Sequence, residues 1–320
     1  MHFSMKFLLL FILLAISLYS FKGQKLEHLV NLKGSSLGTF YNVVIANQMT
    51  LRQKELIHQD IKNKLQELDE QMSTYKSYSL LSKFNEHKSF EPFSVTDEII
   101  TVVKLAKQLY YLSDKQFNIA LDPIIDLWGF DKTARKAIPN DLLLKDTLKQ
   151  CNLDNLVIGN NFLQKKDVNL RLNLSSIAKG FIVDEIAKLL LNKGLSNFLV
   201  EIGGEIFAHG HNYHQAWQVG IEDPNNLGNI AKNIAIYNEA VASSGTYLNY
   251  FTDNSKKYSH IINAKTGYPI NINDIALVSI KASSCMLADA LSTACMLLSQ
   301  AKCSNILTYF HASEILRKLK

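Results

Sequence analysis

Leu172-Asn-Leu-Ser-Ser-Ile-Ala-Lys-Gly180 carries an apolar run through two serines and into an amphipathic stretch that continues to Lys193. It predicts a helix over Ile177–Lys193, ended by Gly194, because glycine tolerates the left-handed backbone that follows a helix. The start of such a helix offers free N–H groups to an anion. A distant partner, Ala288-Asp-Ala-Leu-Ser-Thr293, lies in a second amphipathic run, predicted helical from near Met286. Asp289 and Thr293 are spaced i, i+4, so a helix turns both side-chain oxygens to one face. A carboxylate and a hydroxyl, completed by carbonyl and phosphate oxygens, suit Mg²⁺. The plainer reading is a helix N-terminal Asp and a Thr bonded to its own turn.

Working outward, Asn42–Ala46 predicts a strand after the Gly34–Thr39 turn, and Leu56, Ile57, Ile61, Leu65, Leu68 and Met72 recur at helical spacing. Thr96–Leu112 predicts another helix, with Asp97 and Glu98 in its first turn facing the positive dipole end. Phe198–Ile206, Trp217–Ile221, Ile234–Ala242, Ser259–Ile262 and Ala276–Ala282 predict short strands. Strands crowd the second half, and no repeat or low-complexity linker divides the chain. The fold class expected is α+β: a single large domain over residues 25–320, its antiparallel-rich sheet flanked by helices.

With 320 residues, 47% hydrophobic content and only 5 Pro, the chain has material for a well-packed core. The net charge of +5 comes from lysines scattered along predicted helices, which argues against a nucleic-acid partner. Lys6 followed by the apolar Phe7–Leu18 has the form of an export signal, short for a membrane span. Residues 1–24 are therefore expected to be a signal peptide or a signal anchor, giving a periplasmic protein, tethered to the inner membrane if the segment is retained. Cys151, Cys285, Cys295 and Cys303 form no Cys-x-x-Cys pair; Cys285 and Cys295 read as small core residues, and sequence pairs none of the four.

Six further segments accompany the opening two: Met72-Ser-Thr-Tyr75, Asp122-Pro-Ile-Ile-Asp-Leu-Trp-Gly-Phe130, Val200-Glu-Ile-Gly-Gly-Glu205, Val219-Gly-Ile-Glu-Asp-Pro224, Ser243-Ser-Gly-Thr-Tyr-Leu-Asn-Tyr-Phe251 and Ser259-His-Ile-Ile-Asn263. In this order and at these separations the chain resembles the ApbE family, the FAD:protein FMN transferases, from Gly34 to Ser299. The resemblance implies a T-fold-like α+β domain. It also implies Mg²⁺-dependent transfer of FMN from FAD to a Thr or Ser hydroxyl of an acceptor protein, with AMP leaving. The acceptor it implies carries a Thr-containing motif and belongs to a membrane redox complex. Relatives often bear a lipid-carrying Cys after the apolar run; no Cys precedes Cys151, so no such anchor is expected.

By the same resemblance, Ser176, Asp289, Ser292 and Thr293 are the metal positions, Ser292 falling where the family can use an acid. Leu37, Tyr75, Gln116, Phe117, Asn118, Asn173, Lys179 and Ile262 are the cofactor positions. Leu37 stands where relatives often have Met, and Asn118 and Asn173 replace common Asp residues, losing charge while keeping shape. His260 is the expected acid/base residue, since imidazole can take a proton from a hydroxyl near neutral pH. Each has a plainer reading: Phe117 in the core, Lys179 on a solvated face, His260 structural in its strand, Val200–Glu205 merely a tight bend. Trp128 reads as packing, and His209, His211 and His214 as exposed and incidental. Two rivals share the pocket: FAD pyrophosphatase activity giving FMN and AMP, and an exported flavin-binding protein without chemistry.

Overall fold

The computed structural model describes residues 26–130 and 138–319; the export segment expected over 1–24 lies outside them. Its spine is a seven-stranded sheet. Numbering that sheet's strands alone, β1 is Val30–Ser36, β2 Thr39–Ile45, β3 Phe198–Ile202, β4 Glu205–His209, β5 Glu239–Gly245, β6 Ile275–Ala282 and β7 Ser313–Leu319. Each pairs antiparallel with the next in sequence, so the spatial order is the chain order. Apart from the short strand Leu26–Glu27, which precedes β1 and pairs with Met49–Thr50, the other described elements are inserted into connections of this meander.

The connection from β2 to β3 holds helices α1 Leu51–Met72, α2 Leu80–Glu86, α3 Asp97–Leu112, α4 Asp122–Leu127, α5 Asp141–Leu148 and α6 Ala178–Asn192. Between β6 and β7 lie α7 Cys285–Leu297 and α8 Gln300–Tyr309. Local chemistry sets these ends. Thr50 and Gln53 form a reciprocal capping box at the start of α1, Thr96 caps α3 through its hydroxyl, and Gly194 follows α6 at φ +76°. The apolar stripe Ile57, Ile61, Leu65, Leu68 and Met72 of α1 is buried, and α6 and α7 bury theirs in the same core as the sheet.

The sheet's other face is covered by the ribbon Trp217–Glu222 and Ile230–Ile236, with Trp217, Val219 and Ile236 packed on Leu199, Ala208 and Val241. A three-stranded sheet, Tyr250–Asp253, Lys256–Ile262 and Pro269–Asn271, fills the β5–β6 connection. It closes on a satellite core around Trp128, which is fully buried and donates its indole N–H to the Gly267 carbonyl at 2.8 Å.

Three expectations change. Phe198–Ile206 is two strands, folded back at Gly203 and Gly204, both at positive φ. Ile234–Ala242 also breaks, at Asn238 with φ 52°, so its halves join different sheets. Cys295 is not merely a small core residue: it forms a disulfide with Cys303, linking α7 to α8, whereas Cys285 is buried and free. No helix among the described residues is long and apolar enough to cross a membrane.

Candidate active site

A cavity of about 410 Å³ opens where α6, α7, the inner ends of β4 and β5, and the three-stranded sheet converge. Tyr75, Gln116, Phe117, Asn118, Asn173, Ser176, Lys179, His260, Ile262, Asp289 and Thr293 all line it. Of the expected site residues, Leu37 and Ser292 do not. Leu37, at φ 56° in the β1–β2 turn, lines an adjoining cavity of about 610 Å³ that shares Tyr75, Ser175 and Lys179 with the first. Ser292 is fully buried, its hydroxyl donating to the Asp289 carbonyl and meeting Ser244 Oγ at 2.7 Å. It braces α7 against β5 instead of facing the cavity.

Asp289 is held by the neighbouring helix. Gly180 N–H donates to its Oδ2 at 2.9 Å, and a Cβ at Gly180 would stand 2.2 Å from the Cys285 carbonyl oxygen, so only glycine permits this approach of α6 to α7. The start of α6 therefore spends one of its N–H groups on a protein carboxylate, not on a ligand. Burial raises the Asp289 pKa, opposed by Lys179 and by that N–H. Asp184, on α6, caps α7 in return by accepting from the Cys285 and Met286 N–H groups at 2.7 and 2.9 Å. Burial pushes its pKa to about 6. Thr293 Oγ1 lies 2.9 Å from Ser244 Oγ.

Lys179 is not merely a surface group: its ammonium pairs with Glu205 Oε1 at 2.5 Å. Glu205 is 3% exposed, and burial raises its pKa against the pull of Lys179. His260 Nδ1 lies 3.0 Å from the Asn249 carbonyl oxygen. A carbonyl only accepts, so Nδ1 carries the proton and Nε2 keeps its lone pair. Desolvation on its packed side lowers the His260 pKa below 6.5, with Lys179 adding to the effect, so the ring is neutral at pH 7.

The two Asn departures acquire physical reasons. Asn118 donates to the Cys151 carbonyl at 2.8 Å, and Asn173 donates to Asp122 Oδ1 at 3.1 Å while accepting from Ser175 N–H. A carboxylate could make neither donation. Asp122 and Asp126 are bridged by the single Arg171, so an Asp at 173 would add a further negative charge to a cluster in which acids already outnumber the base. Phe117 is both things expected of it, 1% exposed and lining the cavity. His209, His211 and His214 make no metal cluster; His209 stacks on Phe198.

Among the described residues no group of three His, Cys, Asp or Glu side chains is placed to hold a metal. The donor set here is instead a buried carboxylate, hydroxyls of Ser176 and Thr293, and space beside them for phosphate oxygens. Such a set fits Mg²⁺, which keeps waters and takes few carboxylates alongside substrate phosphates. Sequence reasoning missed Glu205, Asp184, Ser244 and Asn249. Only Glu205 had a signal, as an acid set directly after a Gly-Gly turn in a strand that points inward.

The model of the ApbE family matches residues 37–316. A Vibrio cholerae protein named FAD:protein FMN transferase is 38% identical over 276 residues, covering 85% of this chain and 82% of the relative. A Haemophilus influenzae protein of the same name is 34% identical, covering 87% and 83%. The structure described as flavin transferase ApbE from Vibrio cholerae superposes with a TM-score of 0.83 at 34% identity, covering 92% of this chain and 94% of that one. The apo form of the Pseudomonas stutzeri flavinyl transferase ApbE superposes at 0.80 with 29% identity, covering 92% and 93%.

Proposed function

The chain belongs to the ApbE family and is an enzyme that transfers the FMN part of FAD to a protein; from that premise we propose how its residues divide the work. The acceptor is a Thr or Ser hydroxyl. His260 Nε2 takes the hydroxyl proton as the oxygen attacks the phosphorus of the FMN half. The bond to the bridging pyrophosphate oxygen breaks, and AMP departs with that oxygen. The observation that carries this assignment is the His260 tautomer: its proton is committed to Asn249, leaving a neutral base in the cavity that also contains Asp289.

Asp289, Thr293 and Ser176 would hold Mg²⁺, which when bound neutralises charge on the pyrophosphate. Lys179 presents a further cation to it. Tyr75 and Phe117 offer flat rings to the flavin or adenine, and Leu37 extends the apolar wall into the adjoining cavity. Residues 25–320 form the catalytic domain, and residues 1–24 direct export to the periplasm. The acceptor is a redox-complex subunit at the membrane surface.

The test is incubation of the purified protein with FAD, Mg²⁺ and an acceptor fragment bearing a Thr motif, followed by intact mass and AMP assay. Acceptor mass raised by one FMN, with matching AMP, is expected. AMP and free FMN without labelling would replace transfer by pyrophosphatase activity, and neither product would leave a binding role.

A further inference from the structure

Glu205 opens β4 immediately after the Gly203–Gly204 turn, 3% exposed, and lines the cavity of Asp289 and Thr293. Oε1 holds Lys179, but Oε2 is buried with no hydrogen-bond partner. The other such atoms among the described residues belong to Asn42, His87 and Asn212, none of which lines this cavity. An unpaired buried carboxylate oxygen is costly, so its presence beside a ligand site marks a place for a ligand group. A carboxylate oxygen takes only a donor or a cation. The phosphates of FAD offer neither, whereas a divalent cation and its bound waters offer both.

We propose that Glu205 is the second carboxylate of the divalent-cation site, acting through Oε2 on the ion or its bound water while Oε1 fixes Lys179. The proposal rests on the reading of Asp289 as a ligand. Ser292, standing where the family can place an acid, is turned away into the α7–β5 seam. Glu205 restores the missing charge from a different element. With both carboxylates ionised, Asp289, Glu205 and Lys179 together carry one net negative charge, and a divalent cation converts that to one positive charge facing the pyrophosphate. With Gln at 205 the empty site would be neutral and would attract the cation less.

The experiment is titration of the full protein with Mn²⁺ alone, read by the free-ion electron paramagnetic resonance signal at fixed ionic strength. Glu205→Gln is expected to raise the Mn²⁺ Kd about 10-fold or more. Lys179→Met, which removes the opposing charge, is expected to lower it. Asp289→Asn serves as the reference and is expected to abolish binding. Loss with Asp289→Asn but an unchanged Kd for Glu205→Gln overturns the role of Glu205 alone. Unchanged binding with Asp289→Asn overturns the cation site and this proposal with it. If Glu205→Gln does not fold, the double variant Lys179→Met with Glu205→Gln, which removes both charges of the pair, is compared with Lys179→Met: a Kd raised about 10-fold supports the proposal, and an equal Kd refutes it.

Discussion

Lys165 is 1% exposed and, among the described residues, forms no ion pair with a carboxylate; its ammonium donates to the Asn85 carbonyl at 3.0 Å and lies 4.8 Å from the centre of the Phe84 ring. Burial, with Lys88 and Arg171 adding to it and Asp167 opposing, lowers its pKa from 10.5 to about 8. That difference corresponds to about 3 kcal/mol spent on keeping the charge buried at neutral pH. Because the folded value lies below the unfolded one, the unfolded chain holds the extra proton between pH 8 and 10.5, and stability rises with pH across that window. Below pH 8 both states are protonated and the whole cost stands.

Lys165→Met removes the charge but leaves the Asn85 carbonyl without its donor, a pH-independent loss of about 1 kcal/mol. The variant should therefore be about 2 kcal/mol more stable than the parent at pH 7 and about 1 kcal/mol less stable above pH 10.5. Urea unfolding of both proteins at pH 7, 8, 9 and 10 reads the difference directly, since other titrating groups cancel. Parallel stability curves, with no narrowing of the gap as pH rises, would refute the reasoning. The result matters for the site because Asn85 also clamps Leu172 through both its backbone groups, directly before Asn173.

His260→Ala should slow transfer by about 100-fold or more while leaving FAD binding intact, as fluorescence quenching of the flavin would show. In the parent, burial holds the His260 pKa below 6.5, so the transfer rate should fall on acidification with a midpoint below pH 6.5; a midpoint above pH 7 contradicts the neutral-base assignment. Asp289→Ala should abolish Mg²⁺-dependent turnover in a protein that still folds, and retained activity would remove Asp289 as a ligand. Cys295 and Cys303 are 8 residues apart, so reducing their disulfide should cost about 2 kcal/mol by loop closure, read as a lower thermal midpoint in dithiothreitol. An unchanged midpoint would show that packing of α7 on α8 suffices without it.

The helices were legible because their signals are local: Asp97 and Glu98 in the first turn of α3, Gly194 as a stop, and the 3.6-residue stripe of α1. The break at Gly203–Gly204 was legible only as the tight bend offered for Val200–Glu205, and that at Asn238 was not read at all, because only sheet pairing tells a local bend from a reversal of the strand. Asp289, Thr293 and His260 were singled out by spacing and by the family resemblance, and the fold gathers them around one cavity. Glu205 escaped because its significance depends on Lys179 and Asp289, brought near by α6 and α7 packing and invisible along the chain. The roles of Asn118 and Asn173 escaped likewise, being set by a carbonyl and a carboxylate remote in sequence. Disulfide pairing needed the α7–α8 turn.

The meander order of the sheet has a consequence for biogenesis. Val43 on β2 pairs with Val200 on β3, across the whole helical insertion, whereas β3 through β7 meet partners far closer in the chain. Synthesis delivers the β1–β2 hairpin first and its docking partner long afterwards. Until β3 emerges, β2 presents an open edge with Tyr41, Val43 and Ile45 on the face later buried, a template for pairing with another chain. A holdase that shields this hairpin during synthesis should therefore raise the yield of folded enzyme more than one acting on the last hundred residues.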